Sequence, residues 1–134
     1  NWASVVYYGG SDDALLKNLG IPFDTPKPVE LTKQLIQAFL GKEGGLVVDF
    51  FAGSGTVGHA AMELAQSGFP VQSLSMQWPE ALEDTAAQKA GLRFCQDAGL
   101  PANVFSITLE RLRRVAAQNG QDLDVRHFSL GKDP

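Results

Sequence analysis

Cysteine is nearly missing from this chain. Cys95 stands alone, which excludes an internal disulfide and leaves no material for a cysteine-rich zinc site. A lone thiol suits a reducing compartment such as the cytoplasm, and its simplest place is a buried, small apolar position on a helix. No apolar run approaches the ~20 residues that a membrane-crossing helix needs, so no membrane segment is expected. Positive charge is not in excess either: 11 Lys and Arg stand against 15 Asp and Glu, a formal net charge of −4. Such a balance gives no chain-wide affinity for phosphate, and any nucleic-acid contact must be local or come from residues outside this chain. The two histidines, His59 and His127, are isolated in the sequence. Each is expected in an ordinary helix or strand position, and no metal ligand is assigned. Asn1 is neither an initiator Met nor the start of a basic, apolar secretory leader, so the chain is expected to be a piece of something longer. Its 134 residues suit one domain with one core, able to bury roughly two thirds of its unfolded surface.

What is present centres on Leu46 to Gly58, LVVDFFAGSGTVG. The strand formers Leu46, Val47, Val48, Phe50 and Phe51 stop at Ala52-Gly53-Ser54-Gly55, and Thr56 opens a segment of helical spacing. This is a strand, a tight glycine turn and a helix. Gly53 and Gly55 tolerate positive φ and carry no Cβ to hold a ligand off the backbone, and the first N–H groups of the helix point at it. The turn suits a nucleotide-like ligand. Gly53-Ser54-Gly55-Thr56-Val57-Gly58 also satisfies the dinucleotide fingerprint, which keeps an NAD-type reading open. Against it stands Asp49, an acid inside the apolar strand, which would bind either a ligand's cation or the turn's own N–H groups.

The remaining chain reads as alternating helices and strands. Asn1 to Tyr8 is aromatic and β-branched, either a short strand or a linker. Asp12 to Leu19 is a short helix ended by Gly20, and Ile21 to Pro28, with Pro22, Pro26 and Pro28, is a stiff extended loop. Leu31, Leu35, Ile36, Phe39 and Leu40 then recur at helical spacing up to Gly41, which predicts a helix with one face on the core. After the glycine turn, Thr56 to Ser67 is a helix and Val71 to Trp78 a strand, together a parallel unit. Glu80 to Ala98 reads as a helix weakened by Gly91, and Asn103 to Phe105 as a short strand. A helix from Thr108 to Gln118 places Leu109, Leu112, Val115 and Ala116 on its apolar stripe and Arg111, Arg113 and Arg114 mainly opposite. Asp122 to Leu130 alternates as a closing strand. In an open parallel sheet, ligands bind beyond the carboxyl ends of the strands, the edge that Asp49 to Gly55 and Gln77 to Glu80 occupy. Glu80 follows Gly55 by 25 residues, close to the spacing at which an acid meets ribose hydroxyls. As an acid opening a helix it would also be favoured by the helix dipole alone.

Three segments carry a family resemblance: Phe23-Asp24-Thr25-Pro26-Lys27-Pro28, then Asp49-Phe50-Phe51-Ala52-Gly53-Ser54-Gly55-Thr56, then Gln77-Trp78-Pro79-Glu80. In this order they resemble the Thr-Pro-Lys-Pro element, the S-adenosylmethionine loop and the Gln-x-Pro-Glu segment of the amino-methylating DNA methyltransferases, most closely the modification subunits of type III restriction systems. Weaker echoes run through Ala90-Gly91, Glu110 to Arg114 and Val125 to Phe128, so the likeness spans most of the chain from about Gly10 to Leu130. The resemblance implies an α/β fold, a Rossmann-like three-layer methyltransferase sheet that is incomplete here, with residues 1–134 a single S-adenosylmethionine-binding piece. It implies cofactor contacts from Phe23, Asp24, Thr25 and Lys27, from Asp49 through Thr56, and from Gln77 and Glu80, the last on ribose. Thr25 and Lys27 would contact the cofactor carboxylate or position the neighbouring backbone.

One departure matters for activity. The family's Asp-Pro-Pro-Tyr motif holds the target amine and stacks the flipped base, and this chain has no Pro-Pro pair. No catalytic residue is therefore assigned. The implied whole is an adenine-specific DNA methyltransferase that meets DNA through its missing part, with a restriction subunit and a second copy as further partners. Two other classes share the loop: a methyltransferase acting on a small molecule or protein, and a nucleotide-binding module without catalysis. An NAD-dependent enzyme leaves the Lys-Pro element unexplained.

Overall fold

The computed structural model describes residues 8–120 and 125–128. Their elements run α1 (Asp13–Asn18), α2 (Val29–Leu40), β1 (Gly45–Asp49), α3 (Thr56–Gln66), β2 (Val71–Ser75), α4 (Lys89–Asp97) and α5 (Val104–Gln118). β1 and β2 pair in parallel, from Gly45 opposite Val71 to Asp49 opposite Ser75, with α3 as the crossover. The expected strand, glycine turn, helix and strand are all present. Their arrangement is a mixed helix and strand fold with a two-stranded parallel sheet among the described residues.

Helix starts follow local chemistry. Pro28, at φ −69°, precedes α2, and the orphan Val29 N–H donates to Asp12 Oδ2 at 2.6 Å, so an acid at the start of α1 caps α2. Asn103 caps α5 by accepting the Ser106 N–H through Oδ1 at 2.9 Å. This corrects the expected strand at Asn103 to Phe105: α5 begins at Val104, and Asn103 keeps only an isolated antiparallel bridge to Ala81. The same bridge explains why no helix starts at Glu80. The Leu82 N–H donates to the Ala102 carbonyl and the Val104 N–H to the Glu80 carbonyl, which holds residues 80–82 extended until α4 opens at Lys89. Gly91 is not a weakness in α4 but a fit: a Cβ there would stand 2.9 Å from Ile107 Cδ1.

The expected single core is divided into two clusters. Leu16, Leu19, Ile21, Cys95, Ile107 and Val115 join α1, α4 and α5, and Cys95 is a fully buried apolar member as anticipated. Val29, Ile36, Ala60, Ala61, Leu64 and Val71 join α2, α3 and β2. Full burial of one such large aliphatic side chain contributes roughly 1.5–3 kcal/mol. Two members of the anticipated α2 stripe are outside: Phe39 is 86% exposed and Leu35 43%. The other face of the sheet is uncovered as well. Leu46, Val48 and Phe50 on the β1 side, and Leu74 and Met76 on the β2 side, are all exposed. Residues 125–128 carry no regular secondary structure, so the closing strand is absent there; its other residues, and positions 1–7 of the expected first strand or linker, lie outside the described residues.

Candidate functional site

β1 ends at Asp49 because the chain must turn there. The Met76 N–H donates to the Asp49 carbonyl at 2.7 Å and the Ala52 N–H to the Met76 carbonyl at 3.0 Å, the last links between the two strand ends. Phe50 and Phe51, expected within the strand, lie beyond it, with Phe51 91% exposed. Asp49 Oδ1 accepts the Phe51 N–H at 3.0 Å, so one carboxylate oxygen braces the turn.

Gly53 and Gly55 both adopt positive φ, 52° and 84°, and the Gly55 N–H closes the turn on the Ala52 carbonyl at 2.7 Å. The two glycines face different things. A Cβ on Gly53 would have nothing nearer than Phe23 Cζ and the Phe51 carbonyl at 3.9 Å, whereas a Cβ on Gly55 would stand 3.3 Å from Thr108 Cγ2. Gly53 therefore keeps the space beside the turn open, and Gly55 lets α5 pack behind the turn. Gly55 also heads α3 with no side-chain cap, which leaves the helix start to another acceptor.

The Lys-Pro element and the turn line one cavity of about 330 Å³. Of the anticipated residues, Phe23, Thr25 and Lys27 line it from one side and Asp49, Phe51, Ala52, Gly53, Ser54 and Thr56 from the other. Thr25 is held at φ 51°, a left-handed conformation costly for a non-glycine residue. Asp24, Phe50, Gly55, Gln77 and Glu80 are not in the lining. Gln77 acts one step back, its Oε1 accepting the Gly53 N–H at 2.7 Å. Glu80 is exposed just beyond β2 and opens no helix, so dipole stabilisation does not account for it.

The residue that sequence reasoning misplaced is Arg111. It is 0% exposed, on the packed face of α5 rather than the opposite one. Its Nη1 donates to Ser54 Oγ at 2.8 Å, the Ser54 carbonyl at 3.2 Å and Thr56 Oγ1 at 3.2 Å, and its Nε and Nη2 lie 3.3 and 3.1 Å from His59 Nδ1. A guanidinium only donates, so Nδ1 accepts, and His59 carries its proton on Nε2, which faces Glu63 Oε1 at 3.0 Å. Glu63 Oε2 in turn takes Lys33 Nζ at 2.8 Å, and Lys33 also pairs with Glu30. Burial, then Arg111, pushes the His59 pKa below its usual value. Burial raises the Glu63 carboxyl but Lys33 and His59 outweigh it and hold it below the usual range. Burial brings Arg111 itself down to about 10, still charged at neutral pH. The signal was legible: Ile107, Thr108, Arg111, Leu112 and Val115 recur at 3.6-residue spacing, which puts Arg111 on the buried stripe.

Residues 9–78, just over half of the chain, match the family model described as DNA methylase. The chain is 36% identical over 115 residues to the Mod subunit of the type III restriction-modification enzyme StyLTI of Salmonella typhimurium, covering 79% of this chain and 16% of that protein. It is 33% identical over 114 residues to the Mod subunit of the type III enzyme EcoP15I of Escherichia coli, covering 84% and 16%. With the type II methyltransferase M.KpnI of Klebsiella pneumoniae it shares 34% identity over 96 residues, covering 70% and 21%. The chain thus spans between a sixth and about a fifth of the length of these relatives.

Proposed function

This chain belongs to the DNA methylase family, and we propose from that premise that it is the cofactor-holding part of a larger, S-adenosylmethionine-dependent DNA adenine methyltransferase of a restriction-modification system. The observation that carries the reading is the convergence of two sequence-distant segments, Phe23 to Lys27 and Asp49 to Thr56, on one cavity. Its volume of about 330 Å³ sits at the low end of the roughly 300–1,000 Å³ of small-molecule pockets. The donor set fits the cofactor. Asp49 offers a carboxylate to a cationic ligand, Gly53 admits close backbone approach, Phe23 and Phe51 give apolar walls, and the uncapped start of α3 offers N–H groups to a carboxylate. Thr25 and Lys27 position the facing wall, and Gln77 fixes the Gly53 amide. Glu80, exposed at the same sheet edge, takes the ribose hydroxyls. When bound, S-adenosylmethionine supplies the methyl group.

The uncovered apolar sheet face supports the three-layer, incomplete sheet: in the parent protein the remaining strands and helices bury Val48, Leu74 and Met76. In this reading residues 1–134 form a single cofactor-binding unit, DNA meets the rest of the parent, and a restriction subunit is its partner, as the names of the Mod relatives suggest; a second copy is a further partner that those names do not speak to. No helix among the described residues is long and apolar enough to cross a membrane. Calorimetry of the chain with S-adenosylmethionine, its demethylated product and NAD tests the proposal. Binding of the first two in preference to NAD, weakened in Asp49→Asn while the fold persists, is expected; preference for NAD rejects it.

A further inference from the structure

Arg111 is an unusual tenant of a protein interior. Its guanidinium is fully buried, yet its hydrogen-bond partners among the described residues are neutral, Ser54, Thr56 and the imidazole of His59, and the Asp12 and Glu63 carboxylates favour the charge only through space. Burying a charge without an ion-pair partner is costly, and an apolar side chain of similar volume would fill the α3–α5 seam more cheaply. What the guanidinium supplies besides packing is a fixed set of donors. Ser54 and Thr56 receive them: both line the cavity on one side and are held by Arg111 on the other. Thr56 Oγ1 also lies 3.4 Å from the Lys27 carbonyl, to which it donates, so the guanidinium reaches the opposite wall through one hydroxyl. The planar fork spans these acceptors at fixed angles, which a flexible ammonium does not. From the same helix, Thr108 Oγ1 bonds the Gly53 carbonyl.

We propose that Arg111 is the positioning residue of the glycine turn: it grips Ser54 and Thr56 from behind, and through Thr56 sets the distance between the turn and the Lys-Pro wall. Ligand affinity then depends on a side chain that never reaches the ligand. The neutral His59, held by Glu63 and Lys33, completes the grip by accepting from Nε and Nη2. That the ligand is S-adenosylmethionine rests on the function proposed above; the grip on the turn does not.

Two measurements on the 134-residue chain separate these statements. Arg111→Lys keeps the charge and loses the fork, whereas Arg111→Met removes the buried charge and remains foldable if the lysine variant is not. Amide hydrogen exchange at Gly55 and His59, whose N–H groups bond to the Ala52 and Gly55 carbonyls, is expected to accelerate at least tenfold in the folded variants, with exchange in β1 and β2 unchanged. Calorimetry with S-adenosylmethionine is expected to show at least tenfold weaker binding, even in an Arg111→Met protein whose melting temperature is not lowered, a split that a merely structural arginine does not produce. Unchanged exchange at Gly55 and His59 overturns the proposal whatever the affinities. Accelerated exchange in a chain that binds no S-adenosylmethionine upholds the positioning role and rejects the functional reading alone.

Discussion

At the scale of single residues, the glycine turn separates an open cavity from the scaffold. Gly53 and Gly55 look equivalent in the sequence, both chosen for positive φ, but only the structure shows that one opens on the cavity and the other on α5. Gly53→Val is expected to lose cofactor binding, since its side chain enters the cavity, and to lower the melting temperature only through the strain of a β-branched residue at φ 52°, with no packing clash added. Gly55→Val is expected to destabilise the chain by about 2 kcal/mol, because a β-branched residue at φ 84° is strained and its Cβ presses on Thr108. Thermal melts with calorimetry separate them. Equal loss of stability in both variants contradicts the two orientations. Asp49 was legible as an anomaly, an acid in an apolar strand, though not which alternative held: one oxygen braces the Phe51 amide while the residue lines the cavity. Arg111 follows its 3.6-residue spacing onto the buried stripe, against the ordinary preference of a guanidinium for solvent.

At the scale of elements, the chain from Lys33 through Glu63 and His59 to Arg111 ties α2, α3 and α5 together, and it makes stability pH-dependent. The folded His59 pKa lies below its ordinary 6.5, so between the two values the unfolded chain binds more protons, and stability falls as pH drops from about 6.5. Glu63, held below its ordinary 4.5, contributes stability that is lost as pH falls through its folded value. Melting temperature is therefore expected to be level from pH 7 to 8, to decline below 6.5 and to steepen below 4.5. In His59→Asn the upper decline is expected to vanish; its persistence assigns the proton elsewhere. Elements themselves were legible where hydrophobic period and punctuation agree, as in α2, β1, α3 and β2. The errors fall where a non-local contact decides. Residues 80–82 carry no local mark of their pairing with the Ala102 to Val104 segment, and Asn103 serves as a helix cap in place of a strand residue.

At the scale of the whole molecule, what the sequence lacked is as informative as what the structure holds. Exposed Leu46, Val48, Leu74 and Met76 form a sheet face that alternation alone would have buried; nothing in their identity tells which chain segment covers them. With no Pro-Pro pair and 11 basic against 15 acidic residues, this polypeptide alone is expected to hold no flipped base and to bind duplex DNA poorly. Incubated with radiolabelled S-adenosylmethionine and DNA of mixed sequence, it is expected to transfer no label above a Gly53→Val control. Transfer above that control would reveal a catalytic group among these residues.

The central claim is that the Lys-Pro element and the glycine turn hold one ligand between them. A heteronuclear NMR titration of the isotopically labelled chain with S-adenosylmethionine reads both walls at once. Saturable shifts of the amides of Thr25 and Lys27 are expected together with those of Phe51, Gly53, Ser54 and Thr56, with β1 residues 45–47 unmoved. Shifts confined to the turn, or the same pattern produced by NAD at equal concentration, would contradict that claim.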